Sequence, residues 1–145
     1  FEVVTFSRAP VETVFEVVAD HAGYKHFMPL MVSEIETPGD PAPNGVGAIR
    51  RLGVPGYAAR EQVVAYEPPS RLSYTILSGI PVVGYRADVD LEPSVSGGTR
   101  IMWSGSFERA KGGFSAPLRA FLKLMVADLA RRVAREAERR TTTEH

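Results

Sequence analysis

Arg50 and Glu61 are the residues of this sequence whose types and placing best suit chemistry. Arg50 falls in an alternating segment, in phase with Ala48 and Leu52, while Ile49 and Arg51 take the other phase. If the Ala48–Leu52 phase faces inward, a guanidinium is buried there. A buried guanidinium must be paired or must serve a ligand. Glu61 lies in the adjoining segment of the same kind, where it could pair with Arg50 or act as a general base. A one-residue shift of strand phase would instead leave both groups in solvent.

Four tyrosines, Tyr24, Tyr57, Tyr74 and Tyr85, could each donate a hydrogen bond to a ligand carbonyl. Tyr74 and Tyr85 are the better candidates, because they run in phase with apolar neighbours. His21 and His26 could do acid–base work near neutral pH, but no third ligand stands near them at a metal-type spacing, so no metal site is expected. Ser104 and Ser106 fall on the polar side of their segment without a Ser-His-Asp context, which gives a hydrolase triad no support. Gly45-x-Gly47 precedes a strand instead of opening a helix, so the mechanics of phosphate binding are missing.

Composition narrows the classes further. Seventeen basic and seventeen acidic residues cancel, so no global field draws the chain to nucleic acid or to an acidic membrane. The basic tract Arg131-Arg132, Arg135 and Arg139-Arg140 is interleaved with Glu136 and Glu138 and reads as a solvated helix end, where cations belong. No cysteine is present, which excludes disulfides and thiolate chemistry and fits a reducing, cytoplasmic compartment. No apolar run approaches the roughly 18 residues needed to span a bilayer, so no integral membrane segment is expected. No signal peptide is legible, although the numbering starts at Phe1 without a methionine, so an earlier leader stays open. The length suits one domain with one sizeable core, taken as residues 1–140, with a polar, frayed tail at 141–145.

The elements that must position these groups follow from periodicity. Phe1–Phe6 reads as a strand. A helix follows, with Ser7 as its cap, Pro10 in its first turn, and Val11, Val14, Phe15 and Val18 on one buried face. Tyr24–Met28 reads as a second, short helix ended by Pro29. Strands are expected over Met31–Thr37, Ala48–Val54, Tyr57–Tyr66, the stretch around Leu72–Ile76, Tyr85–Glu92 and Thr99–Phe107, joined by short turns rich in Gly and Pro. Short connections require mostly antiparallel pairing. A long helix over Phe114–Arg140 closes the chain, with Phe114, Leu118, Phe121, Leu122, Met125, Leu129 and Val133 at three- and four-residue steps. That stripe must bury against the β block, so the fold class is α+β. A curved sheet around a helix encloses space, which points to an apolar cavity.

Several motifs carry a resemblance to a known family. Ala9-Pro10-Val11-Glu12-Thr13-Val14-Phe15, with Asp20, Tyr24, Phe27 and Pro29 behind it, resembles the opening of START-like helix-grip proteins. That superfamily includes polyketide cyclases/dehydratases, lipid carriers and plant pathogenesis-related carriers; the opening most resembles the coenzyme-Q-binding members. Gly45-Val46-Gly47-Ala48-Ile49-Arg50, Tyr66-Glu67-Pro68-Pro69-Ser70-Arg71-Leu72-Ser73-Tyr74 and Gly97-Gly98-Thr99-Arg100-Ile101-Met102-Trp103 match further motifs of the group. These are mostly turn and core residues, so they speak to fold more than to function.

The resemblance implies a bent antiparallel sheet gripping the long helix, with Tyr85, Ala87, Val89, Thr99, Ile101, Trp103 and Phe107 on its concave face. Leu118, Phe121, Leu122 and Met125 would face them. With Tyr74, these residues are the expected ligand-binding set, although ordinary core packing is the competing reading for any one of them. The expected function is binding or carriage of a hydrophobic small molecule: a lipid, a quinone or a polyketide-like aromatic. The alternative is a polyketide cyclase/dehydratase using Arg50, Glu61 and a tyrosine for proton transfer. No cofactor and no nucleic acid are expected; a homodimer is left open.

Overall fold

The computed structural model describes residues 1–29 and 32–143. In chain order its elements are β1 (Glu2–Ser7), α1 (Val11–Ala19), a 3-10 helix (His21–His26), β2 (Val32–Thr37), β3 (Ile49–Val54), β4 (Tyr57–Glu67), β5 (Arg71–Ser78), β6 (Val82–Val83), β7 (Arg86–Pro93), β8 (Thr99–Ser106), β9 (Arg109–Ala110) and α2 (Ser115–Thr143). The expected start of the second strand at Met31 lies outside the described residues. Seven strands form one antiparallel sheet in the order β1-β8-β7-β5-β4-β3-β2, and β6 pairs with β9 in a separate ribbon. The class is α+β and the arrangement is a helix grip: a large antiparallel sheet with one long C-terminal helix and short N-terminal helices.

Alternation builds the sheet. Along β7 the residues Ala87, Val89 and Leu91 are buried, and along β8 Thr99, Ile101, Trp103 and Gly105 are buried. The two strands pair without a slip from Arg86↔Ser106 to Pro93↔Thr99, so both dry faces lie on the same side. At the tip of β3 and β4 the chain reverses through Pro55-Gly56, where Gly56 takes φ +83°, a conformation that suits glycine. One break in alternation is in β5, where Leu72, Ser73 and Tyr74 are all buried. Ser73 tolerates this by donating to Asp88 Oδ1 at 2.5 Å.

The N-terminal cap differs from expectation. Pro10 occupies the cap position of α1, and Ser7 instead donates to the Ala134 carbonyl at 2.9 Å, tying β1 to α2. The same Oγ accepts from the Ala9 N–H at 3.2 Å, so it serves the turn before the helix and not the helix start. The 3-10 helix begins at His21, so the chain breaks only around Asp20.

The helix α2 docks on a face rotated from the expected one. Leu122, Val126, Ala130, Val133, Ala134 and Ala137 are buried, whereas Phe114, Phe121, Leu124 and Met125 are exposed. Alanines carry the contact of the C-terminal half because they let the helix approach β1 and α1 closely, and a stripe read only from large residues misses them. The helix also continues through residues 141–143, where a frayed tail was expected. Thr141 and Thr142 donate their hydroxyls to the carbonyls of Ala137 and Glu138, four residues back. Glu144 and His145 lie outside the described residues.

Candidate ligand-binding site

A cavity of about 440 Å³ lies between the N-terminal half of α2 and the β3–β4–β5 part of the sheet. Its walls are Leu52 and Gly53 from β3, Tyr57, Ala59 and Glu61 from β4, and Tyr74 and Ile76 from β5. Leu118, Phe121, Leu122, Met125, Val126 and Leu129 of α2 form the roof. Gly79, Ile80, Pro81 and Tyr85 close one side, and Tyr24 and Met28 another. Phe121 is 56% exposed and Met125 48%, so both stand at the mouth.

The register explains the charge of Glu61 in the wall. Arg50 and Glu61 are direct partners across β3 and β4, as are Leu52 and Ala59. The inward phase therefore carries a charge pair next to an apolar pair. Arg50 is 0% exposed and Glu61 7%. Arg50 Nη2 donates to Glu61 Oε1 at 2.9 Å, and the guanidinium lies over the Tyr74 ring at 5.0 Å. Arg50 Nε and Nη1 have no hydrogen-bond partner among the described residues.

His21, 2% exposed, completes the cluster. Its Nε2 lies 3.1 Å from Glu61 Oε1, a close polar contact short of a well-formed hydrogen bond. Burial first, and the Arg50 charge second, push His21 down to about 4, with Glu61 opposing; the imidazole is neutral at pH 7. Burial alone would raise Glu61. The His21 imidazole and the Arg50 charge outweigh it and hold the carboxyl below the usual carboxylate range.

The hydroxyls divide into used and free. Tyr24 donates to the Val18 carbonyl at 2.7 Å, and Tyr74 accepts from Trp103 Nε1 at 3.2 Å. Tyr85 Oη has no hydrogen-bond partner among the described residues. Gly105 gives it room, because a Cβ there would sit 2.8 Å from that oxygen and 2.4 Å from the Phe1 ring. Burial pushes both Tyr74 and Tyr85 up, so both remain neutral phenols. Among the described residues no three His, Asp or Glu side chains converge as a metal site would require.

The structure gathers only part of the expected set around this space. Tyr74, Tyr85, Leu118, Phe121, Leu122 and Met125 line it, with Glu61. Ala87, Val89, Ile101, Trp103 and Phe107 do not: the first four are buried in the core on the β7–β8 side of the sheet, and Phe107 packs beside Tyr85 under the Arg119 guanidinium. Arg50 is fully buried against Glu61 and Tyr74 and does not line the space; of the pair only Glu61 does. His26 is exposed. Leu52, Ala59, Ile76 and Ile80 were missed, though Leu52 shares the phase of Arg50 and Ala59 that of Glu61.

With fold and site in place, comparison with known proteins is decisive on family. The profile described as polyketide cyclase/dehydrase and lipid transport matches residues 1–139. The chain belongs to this family. No curated protein sequence matches it. Among solved structures, XoxI from Bacillus cereus is similar over 100% of this chain and 97% of its own, at 13% identity and a TM-score of 0.76. Ara h 8.0201 is similar over 94% of this chain and 95% of its own, at 17% identity and a TM-score of 0.75. A protein from Nitrosospira multiformis aligns over 94% of both chains at 21% identity and a TM-score of 0.73. At these identities the likeness is one of fold. No helix among the described residues is long and apolar enough to cross a membrane.

Proposed function

We propose that this chain binds a hydrophobic small molecule in the cavity under the N-terminal half of α2, as a carrier rather than a catalyst. A lipid, a quinone and a polyketide-like aromatic are the ligand classes that the family description and the cavity suit. The observation that carries this reading is the wall itself: about 440 Å³ of space lined by apolar and tyrosine side chains, with Glu61 as its one charged group among the described residues. That volume lies within the usual range for small-molecule pockets. Phe121 and Met125 at the mouth offer a ligand an apolar path inward.

A cyclase or dehydratase would need an acid or base whose proton affinity lies near the working pH. Glu61 is held below the ordinary carboxylate range and makes a weak base, while Tyr74 and Tyr85 are pushed up and make weak acids. These directions favour holding a ligand over transforming it.

Native mass spectrometry of freshly purified protein tests the reading, with extraction and identification of any retained molecule. Retained hydrophobic mass, or saturable uptake of N-phenyl-1-naphthylamine that Phe121→Ala and Leu118→Ala weaken, is the expected result. A protein that carries nothing and takes up no such probe would count against it.

A further inference from the structure

We infer that Glu61 is a recognition point inside the cavity, selecting neutral ligands that carry a hydroxyl donor on an apolar skeleton and rejecting carboxylates. The inference rests on the ligand-binding reading above and specifies its ligand.

The two close contacts of Glu61 use the same oxygen. Arg50 Nη2 is 2.9 Å from Oε1, and His21 Nε2 is 3.1 Å from Oε1. Oε2 has no hydrogen-bond partner among the described residues, and Glu61 belongs to the cavity wall. Among the described residues that wall contains no other charged side chain. A carboxylate oxygen in such surroundings gains strongly from a donor, because hydrogen bonds to charged groups are among the strong ones.

The neighbours decide which donor. The Arg50 cation is already committed to Oε1, so the Arg50–Glu61 pair is neutral as a unit. His21 is neutral as well. A ligand carboxylate would meet the Glu61 charge in a space that holds no free cation, and both charges would lose water. A ligand ammonium would have to leave water for a carboxylate that Arg50 already neutralises. A phenol, enol or alcohol brings one O–H and no charge, which satisfies Oε2 without either cost.

Calorimetric titration with three probes of one ring system, 2-naphthol, 2-methoxynaphthalene and 2-naphthoate, at neutral pH tests this. In the wild type, 2-naphthol is expected to bind at least about tenfold more tightly than the methyl ether, the lower end for a hydrogen bond to a charged acceptor. The acid is expected to bind more weakly than the ether. Glu61→Gln should narrow the naphthol preference and let the acid approach the ether. Removing one partner can strand Arg50, so the double substitution Arg50→Met with Glu61→Leu serves as the second variant; it should bind naphthol and ether alike, with the fold checked by circular dichroism. Equal affinity for naphthol and ether in the wild type would overturn the selection by Glu61 and leave the cavity reading standing. No binding of any of the three would overturn both.

Discussion

Arg50 and Glu61 stand opposite each other in the β3–β4 register, joined by a 2.9 Å hydrogen bond. The pair is buried and bounded by Tyr74 and His21, so neither member can be removed alone without leaving a charge in the interior. Arg50→Met is therefore expected to destabilise the protein by about 3–5 kcal/mol, the range for breaking a buried pair. Arg50→Met combined with Glu61→Leu should recover much of that loss, since an apolar replacement of the whole pair is often close to neutral. Urea midpoints of the two variants decide it; equal losses in both would show that the pair is not the energetic unit.

His21 gives stability a pH dependence with a definite window. Its folded value lies near 4 against 6.5 for a free imidazole. Between those limits the unfolded chain binds the extra proton and the folded chain does not, so stability rises with pH. On acidification from neutrality, stability should fall from about pH 6.5 and level off near 4 as far as this group is concerned. The fall is on the order of 3 kcal/mol, given about 1.4 kcal/mol per tenfold change in protonation. Glu61, lowered in the folded state, contributes stability above its unfolded value near 4.5 that is lost at still lower pH. Unfolding curves at pH 7 and pH 5, compared with those of His21→Gln, separate the two: the variant should lose less between these pH values.

On α2, position decides between stability and binding. Leu122 is buried and Phe121, beside it, is half in solvent. Leu122→Ala should cost roughly 2–5 kcal/mol of folding stability. Phe121→Ala should cost much less, yet weaken uptake of N-phenyl-1-naphthylamine. Thermal melts and probe titrations on the two variants check this, and a reversal of the order would mean the helix is docked through another face.

The core was legible where one local pattern determined the outcome. The alternation of Ala87, Val89 and Leu91 and of Ile101 and Trp103 gave inward faces, and the phase of Arg50 with Ala48 and Leu52 gave its burial. Which part of the concave face stays open was not legible. That depends on where α1 and the alanine-rich half of α2 come to rest, a long-range outcome with no periodic trace. Trp103 was thus expected on the cavity wall and lies in the closed core, while Leu52, although in the inward phase of Arg50, was not singled out as a lining residue. His21 was legible only as a histidine near a helix exit; its contact with Glu61 joins residues forty positions apart.

Ala130, Val133, Ala134 and Ala137 anchor the C-terminal half of α2, while the cavity is cut mainly by β3, β4, β5 and the N-terminal half of that helix. Mutational drift can therefore act on the two regions separately. Substitutions at Leu52, Ala59, Ile76, Leu118 or Phe121 can reshape the chamber while the anchoring residues keep the scaffold intact. A combinatorial library restricted to those five positions should yield a high proportion of folded variants with altered ligand preference, which makes the chain a practical starting point for new small-molecule receptors.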